Sequence, residues 1–159
     1  MLKGLLLNFD NMEIFDTRVI DESHKADINI RNDSFSLWGQ LIPSFNDGVW
    51  DYKIIKCKEN DIKKMTFPDE HYQWEEMKDG FIFIGAYLSD ECVGLLILQR
   101  PLLKYMYVHD LKVNKEHRKK CIATALIDKA MDIAKEEGYI GLYTIAQDNN
   151  LSACLFYLN

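Results

Sequence analysis

The segment "EHRKKCIATAL" (residues 116–126) combines residue types that can bind an anionic group. Arg118, Lys119 and Lys120 precede a helical pattern, and the first backbone N–H groups of a helix have no acceptor within it. Such groups bind phosphate, and a small residue such as Ala123 lets a ligand approach the backbone closely. A solvated basic turn is the alternative. The sequence has no GxxxxGK[ST] pattern, which disfavours nucleoside triphosphate hydrolysis.

The elements that must position this turn follow from periodicity. Apolar runs at 81–88 and 92–99 predict a β-hairpin, and residues 105–113 predict the strand that enters the turn. Apolar residues that recur from Ile122 to Ala134 predict an amphipathic helix, which Gly138 ends. Further along, residues 139–146 predict a strand, and "NNLSACLFYL" predicts a last helix with Asn149 or Asn150 as its N-cap.

The first half of the chain has weaker patterns. Residues 34–42 and "VWDYKII" predict two strands of a hairpin, with Trp50, Tyr52 and Ile54 on one side and "PSFNDG" as the turn. Residues 57–78 predict a helix fragment and a loop, and residues 1–33 leave strand and helix open. The order of elements predicts an α/β or α+β domain in which a mixed, mostly antiparallel sheet is flanked by helices, with one right-handed crossover.

Composition and charge limit the class of protein. The 159 residues are 48% hydrophobic and 28% charged, which predicts one soluble globular domain. No apolar run is long enough to cross a bilayer, and "MLKGLLLNFDNME" lacks the cleavage site of a secretory signal, so we expect a cytoplasmic protein without a membrane partner. A net charge of −6 disfavours nucleic acid and suits a cationic ligand.

Cysteine and histidine spacing predicts neither disulfides nor a metal site. The four cysteines are far apart in the sequence, and we expect single thiols. The four histidines never fall at metal-ligand spacing. Their positions are Cys57, Cys92, Cys121 and Cys154, and His24, His71, His109 and His117.

Two motifs together resemble the GNAT N-acetyltransferases. The positions of that family's acyl-CoA-binding pattern, Arg/Gln-x-x-Gly-x-Gly/Ala, are occupied by Arg118, Cys121 and Ala123. A second family pattern, Asn-x-x-Ala-x-x-Phe-Tyr, is matched in "NNLSACLFY", with Asn150 and Tyr157 at its ends. The resemblance implies a single acetyltransferase domain over 1–159, with an acceptor-side segment at 1–78 and an acyl-CoA-binding core at 79–159. The segment "QLIPSFNDGVWDYKII" further resembles streptothricin acetyltransferases.

This resemblance implies acetyl-CoA as cosubstrate and assigns roles to residues. The strand at 105–113 binds the pantetheine arm through its backbone, the basic turn binds the pyrophosphate, and Asn150 hydrogen-bonds the pantetheine. Tyr157 protonates the departing thiolate. The cofactor-binding residues implied are Leu111, Lys112, Val113, Arg118, Lys119, Lys120, Cys121, Ile122, Ala123, Thr124, Asn150 and Ala153.

The acceptor amine needs a base, because its ammonium is mostly charged at pH 7. His109 and Asp110 are the candidates, and a water relay is the third alternative. Since strand side chains alternate, we expect these two residues on opposite faces, with His109 on the face of Leu111 and Val113. Streptothricin acetyltransferases have Glu-Asp here, so His109 departs from the pattern. Asp47, Asp51, Glu75 and Glu76 are further candidates for binding a cationic acceptor.

Two other departures concern Cys121 and the end of the chain. Cys121 replaces a glycine, and we expect a helical backbone there, which a cysteine can adopt. A reactive Cys121 thiolate is a further hypothesis. The family continues past the tyrosine helix into two more strands, whereas this sequence ends at Asn159. We therefore expect either a homodimer that covers the open edge of residues 139–146 or poor activity.

The resemblance implies an acetyl-CoA-dependent N-acetyltransferase that acetylates the β-lysine amine of a streptothricin-like antibiotic and thereby gives resistance. One alternative is an acyl-CoA-binding remnant or sensor with weak or no catalysis. Another is a GNAT enzyme that acts on a protein or polyamine amine, because the fold does not select the acceptor.

Overall fold

The computed structural model describes residues 14–101 and 104–158, and its contacts divide the chain into two compact units. The first unit contains the described residues of 1–30 and 71–142, and the second contains those of 31–70 and 143–159. The segment at 1–13, for which we expect no secretory signal, lies outside the described residues. The single-domain organisation of 1–159 stays a prediction.

The elements follow in chain order. The strands are β1 (Asp16–Val19), β2 (Phe35–Leu37), β3 (Gly39–Asn46), β4 (Val49–Lys56), β5 (Lys63–Met65), β6 (Phe81–Leu88), β7 (Glu91–Gln99), β8 (Tyr105–Val113) and β9 (Gly141–Tyr143). The helices are α1 (Trp74–Met77), α2 (Ile122–Glu136) and α3 (Leu151–Leu158), with short 3-10 helices at Glu22–Asn29, Glu59–Asp61 and Lys115–His117. No helix among the described residues is long and apolar enough to span a membrane.

The first unit is built on a five-stranded sheet in the order β1-β6-β7-β8-β9, in which β1, β6, β7 and β8 pair antiparallel. One face packs against α2. Its Ile122, Leu126, Ala130 and Ala134 are buried in a cluster with residues of β6, β7 and β8. The other face carries a second apolar cluster around Phe83, with which residues of the 3-10 helix Glu22–Asn29 and of α1 pack. The predicted mixed, mostly antiparallel sheet with flanking helices is confirmed.

Helix α2 ends as its sequence predicts. Gly138 has φ +84°, and the N–H groups of Gly138 and Tyr139 donate to the carbonyls of Lys135 and Ala134 at 3.1 and 2.8 Å. These two bonds form a Schellman motif, which needs a left-handed residue at this position. The end of the helix is further fixed by Arg100, whose guanidinium makes two 2.9 Å hydrogen bonds to Glu137.

The second unit contains the β3–β4 hairpin, the β2–β5 pair and α3. The hairpin turn consists of Asp47 and Gly48, with φ of 51° and 83°, as a two-residue turn of primed type requires. Helix α3 packs on β3. Two hydrogen bonds join the adjoining segments: the Trp38 indole, just before β3, donates to the Ser152 hydroxyl of α3 at 2.8 Å, and the Leu41 N–H of β3 donates to the Asp148 carbonyl before α3 at 3.0 Å.

Several predicted boundaries are wrong. The strand predicted at 34–42 is divided between β2 and β3, because β2 pairs with β5 rather than with the neighbouring hairpin. The turn predicted at "PSFNDG" is only two residues long, and Pro43 to Asn46 belong to β3. The strand predicted at 139–146 is limited to Gly141–Tyr143, and the loop predicted within 57–78 contains β5.

Candidate active site

Strand β8 contains a bulge at the two candidate bases. Val108 is opposite Leu98 and Asp110 is opposite Ile97, so His109 is an extra residue on β8. An extra residue reverses the alternation of side chains beyond it. Accordingly Met106 and Val108 before the bulge, and Leu111 and Val113 after it, all contribute to the cluster that faces α2.

The bulge overturns the expectation that His109 and Asp110 face opposite ways. The His109 ring is 5.9 Å from the Tyr72 ring, and the Tyr72 hydroxyl donates to Asp110 Oδ2 at 3.3 Å. Both residues therefore lie on the face of β8 that carries Tyr72, opposite Leu111 and Val113. The alternation argument fails here because it assumes a regular strand.

Asp110 is held in a small polar cluster on this face. Lys112 Nζ lies 3.0 Å from Asp110 Oδ2, the same oxygen that Tyr72 contacts, and 5.7 Å from the centre of the Tyr72 ring. The side chains of Lys112 and Asp110 are 9% and 18% exposed. A carboxylate in this position can accept a proton or bind an ammonium group.

His109 has aromatic rather than charged neighbours. Its ring is 5.3 Å from Phe81, 5.9 Å from Tyr72 and 6.0 Å from Tyr107, and the residue is exposed. The structure thus brings both candidate bases to one face in different surroundings.

Strand β9 lies beside the first part of β8. The Ile140 N–H donates to the Lys104 carbonyl at 2.9 Å, so β9 begins beside the start of β8. A three-residue strand spans about 10 Å, and β9 therefore ends before the level of Leu111 to Val113.

The turn between β8 and α2 presents several backbone N–H groups. Lys119 and Cys121 have left-handed φ of 62° and 63°, whereas Arg118 is extended. Successive residues of changing handedness form concave arrays of N–H groups that bind anions. The first intrahelical bond of α2 runs from the Ala125 N–H to the Cys121 carbonyl, so the amides of residues 121–124 have no acceptor within the helix.

The N-cap residue Cys121 makes no side-chain cap hydrogen bond, and no acidic residue lies in the first turn of α2. Lys119 and Lys120 are exposed, and Arg118 Nε donates to the Val113 carbonyl at 3.0 Å, which ties the turn to the end of β8. The donors and the charge of this turn fit a diphosphate.

The expected helical backbone at Cys121 is wrong. Cys121 is the N-cap residue in the left-handed region, where a residue with a Cβ costs about 1–2 kcal/mol. The reason is geometric: the chain leaves the extended Arg118 and must reverse direction before α2 begins, which a helical residue would not allow. The family glycine at this position has the same physical explanation.

The remaining predicted residues lie on α3 in the second unit. Asn150 is the N-cap, because its Oδ1 accepts from the Ala153 N–H at 3.3 Å and its carbonyl accepts from the Cys154 N–H at 3.0 Å. Tyr157 is 37% exposed, and its ring is 5.2 Å from that of Phe156. Asn150, Ala153 and Tyr157 are thus on one helix, and Asp110 and the basic turn are in the other unit.

Sequence reasoning missed Tyr72 and the side chain of Lys112. The Asp110 and Lys112 spacing of two residues could have indicated a shared face, because strand side chains alternate. Tyr72 carries no such signal, since it lies 38 residues from Asp110 along the chain.

Comparison with known proteins agrees with these features. The model of the acetyltransferase (GNAT) family matches residues 50–159. This chain belongs to the GNAT acetyltransferase family. Like other members, it is an acyltransferase, and its motifs at Arg118–Ala123 and Asn150–Tyr157 both fall within the matched residues.

Within the family, relatives include streptothricin acetyltransferases. Streptothricin acetyltransferase A of Bacillus subtilis (strain 168) is 36% identical over 133 residues, which cover 82% of this chain and 75% of that protein. A crystal structure of a putative streptothricin acetyltransferase from Bacillus anthracis str. Ames, in complex with acetyl coenzyme A, has a TM-score of 0.79 at 23% identity over 91% of this chain and 82% of its own. A nourseothricin acetyltransferase has a TM-score of 0.71 at 18% identity, over 91% and 80%.

Proposed function

We propose that this enzyme transfers the acetyl group of acetyl-CoA to a primary amine of a streptothricin-like antibiotic, which would inactivate the antibiotic. The observation that carries the proposal is the 36% identity to a streptothricin acetyltransferase over 82% of the chain. That match is longer than the acyl-CoA core at 79–159 and therefore includes acceptor-side residues. Residues that contact the acceptor distinguish members of one fold, so similarity there supports a shared acceptor class.

The amides of residues 121–124 and the left-handed Lys119 and Cys121 would bind the pyrophosphate of acetyl-CoA, and exposed Lys119 and Lys120 would add charge. The backbone of Leu111, Lys112 and Val113 would hold the pantetheine, and the family motif assigns Asn150 a hydrogen bond to it. When bound, acetyl-CoA supplies an activated acyl group. The chain's task is to bind it, to orient the acceptor and to move two protons.

We assign the first proton transfer to Asp110. The ammonium of a lysine-like acceptor has a pKa near ~10.4, so forming the neutral amine at pH 7 costs about 4–5 kcal/mol. Asp110, between Tyr72 and Lys112, would bind the acceptor nitrogen and accept its proton. His109, in its aromatic surroundings, remains the alternative base.

Sulfur would take its proton from Tyr157, and the second proton that nitrogen loses as the amide forms would restore the phenol. A phenol with a pKa near ~10 can protonate a thiolate with a pKa near ~8.5 only at a cost of about 2 kcal/mol in bulk water. Transfer therefore occurs as charge develops on sulfur, as the carbon–sulfur bond breaks.

Turnover with streptothricin tests the proposal. Purified enzyme with acetyl-CoA and streptothricin should release free thiol, and mass spectrometry should find one acetyl group on the β-lysine portion of the antibiotic. Asp110→Asn should lower kcat by about 10²–10⁴-fold, whereas His109→Gln should retain most activity.

Acetyl-CoA binding in calorimetry without thiol release on any amine would instead support an acyl-CoA-binding remnant. Release only with protein or polyamine amines would refute the antibiotic as acceptor.

Two further expectations belong to this proposal. A reactive Cys121 should be labelled rapidly by a thiol reagent and be protected by acetyl-CoA, whereas exposed Cys57 should label equally with and without it. Burial raises the pKa of Cys92 to about 11, so that thiol should label slowly. The second expectation is either a homodimer or poor activity, and a strictly monomeric species in sedimentation with full turnover would refute both.

A further inference from the structure

The Lys112 ammonium is an unexpected feature of the face that carries Asp110. Lys112 is opposite Leu95 on β7, and Asp110 is opposite Ile97. Leu95 and Ile97 are fully buried in the second apolar cluster. An apolar residue at position 112 would suit this environment, because a buried ion pair rarely adds more stability than a well-packed hydrophobic replacement. A role in packing alone therefore does not account for the lysine.

The geometry places any acceptor bound to Asp110 close to this positive charge. Lys112 Nζ is 3.0 Å from Asp110 Oδ2. An amine that hydrogen-bonds to either carboxylate oxygen at about 2.9 Å is then within about 8 Å of Nζ. The low exposure of both side chains limits screening by solvent. Two ammonium groups at this distance repel each other, whereas an ammonium and a neutral amine do not.

We propose that Lys112 is a positioning and specificity-determining residue, whose charge keeps the acceptor amine beside Asp110 in its neutral, nucleophilic form. The inference rests on the proposed function, in which Asp110 binds the acceptor nitrogen. A nearby cation disfavours the charged form of an amine. Lys112 thereby weakens binding of the ammonium form and raises the fraction of bound acceptor that can attack the thioester.

Other groups around Lys112 include His109 and Asp110 on β8 and Tyr72 in the segment before α1. Tyr72 contributes a hydroxyl to the same carboxylate oxygen and an aromatic ring 5.7 Å from Nζ. These contacts fix the Lys112 ammonium beside the carboxylate, so the charge acts from a defined position. The arrangement selects for acceptors with an amine that can lose its proton beside Asp110.

The experiment compares kcat, KM and pH dependence for streptothricin in three variants. Lys112→Met removes the charge at similar length, and it should lower kcat at pH 7 by about tenfold while also lowering the KM for streptothricin. The acid limb of kcat should move to higher pH by about one unit. Lys112→Arg keeps the charge and should restore the wild-type values. Lys104→Met, the same change at an exposed lysine before β8, is the matched control.

The outcomes distinguish a failure of the proposed function from a failure of the role proposed for Lys112. If wild type does not acetylate streptothricin, the proposed function fails, and this inference with it. If wild type is active but Lys112→Met leaves KM and the acid limb unchanged, only the role of Lys112 is overturned. A fall in kcat without either shift, and without rescue by arginine, would indicate a purely structural lysine. Lys112→Gln, which keeps a hydrogen-bond donor without the charge, serves under the same criteria if Lys112→Met does not fold.

Discussion

Two hairpins of this molecule have similar lengths and tight turns but opposite environments. The β6–β7 hairpin turns at Ser89 and Asp90, and the β3–β4 hairpin turns at Asp47 and Gly48. In β6, six consecutive residues are buried, whereas every residue of β4 is exposed. Trp50, for example, is 72% exposed, although the centre of its ring lies 4.9 Å from that of Phe45, its partner on β3.

The difference teaches that strand pairing and burial have separate causes. Alternating apolar residues and a turn with positive φ are sufficient to pair two strands. Burial depends on what packs on the two faces. β6 and β7 lie between α2 and the apolar cluster around Phe83, whereas β3 contacts α3 near Gly39 and Leu151. The face that carries Asp110 is on β8, which pairs with the buried hairpin's strand β7.

The largest expected effect is a loss of core packing in β7. Leu96→Ala should lower the free energy of unfolding by about 2–5 kcal/mol, because Leu96 is fully buried in the cluster that faces α2. Ile55→Ala in β4, where the residue is 55% exposed, should cost less than about 1 kcal/mol. Urea unfolding of both variants measures the contrast, and equal losses would show that the two hairpins are not differently packed.

Gly39 is a closely packed position in the otherwise exposed β3–β4 hairpin. A Cβ at this position would meet Leu151 Cδ2 at 2.6 Å and the Ile55 carbonyl at 2.7 Å, and the carbonyl belongs to backbone. Gly39→Ala should therefore destabilise by about 1–3 kcal/mol, although it lies in the exposed hairpin. Calorimetric unfolding is the measurement. Gly80→Ala, where no atom lies within 4 Å of the added Cβ, is the control. If Gly39→Ala had the stability of wild type, the close packing of β3 on α3 would be contradicted.

The left-handed Cys121 at the start of α2 gives a smaller effect. Cys121→Gly removes a steric cost of about 1–2 kcal/mol but adds freedom to the unfolded chain, so stability should rise by about 1 kcal/mol or less. Acetyl-CoA affinity should be retained or improved, because the backbone keeps its shape. Cys121→Ala removes the thiol without relieving the strain and should not gain stability. A loss of stability in Cys121→Gly would exclude positive φ at this position.

The smallest effect concerns the ion pair at the end of α2. The hydrogen bonds from Arg100 lower the pKa of the Glu137 carboxyl below its ordinary value of 4.5. A lowered folded-state pKa contributes stability above the unfolded value, and this contribution is lost as the pH falls through the folded value. Glu137→Gln should cost less than about 1 kcal/mol at pH 7, since both side chains are about one-third exposed. The difference in melting temperature from wild type should shrink below pH 4.5, and a constant difference would exclude this pairing.

Periodicity predicted the parts of the fold in which local pattern and burial agree. The bounds of β6 and β8, the helix from Ile122 and the caps at Gly138 and Asn150 are confirmed, because each has a local signal. The β2–β5 pair could not be predicted, since Lys63 to Met65 lack apolar alternation and their partner is distant in sequence. In the same way, neither the bulge at His109 nor the left-handed Cys121 is marked by a glycine.

The sequence proposed the residues of the candidate site, but it did not predict how the structure arranges them. Asp110 and the segment at 118–124 were identified from motif and residue type. Their arrangement depends on one extra residue in β8, which brings His109 and Asp110 to the same face, and on Tyr72 and Lys112, which fix the carboxylate. The contact with Tyr72, 38 residues from Asp110, leaves no periodic signal in the sequence, whereas the two-residue spacing of Asp110 and Lys112 does.

The central claim is that the backbone amides at the start of α2 bind the pyrophosphate of acetyl-CoA. Titration of the isotope-labelled protein with acetyl-CoA, followed by amide NMR, tests it most directly. The account predicts that the amide resonances of Ile122, Ala123 and Thr124 shift strongly and saturate with the same dissociation constant that calorimetry gives. Saturable binding that leaves these three resonances unchanged and shifts amides elsewhere would contradict it.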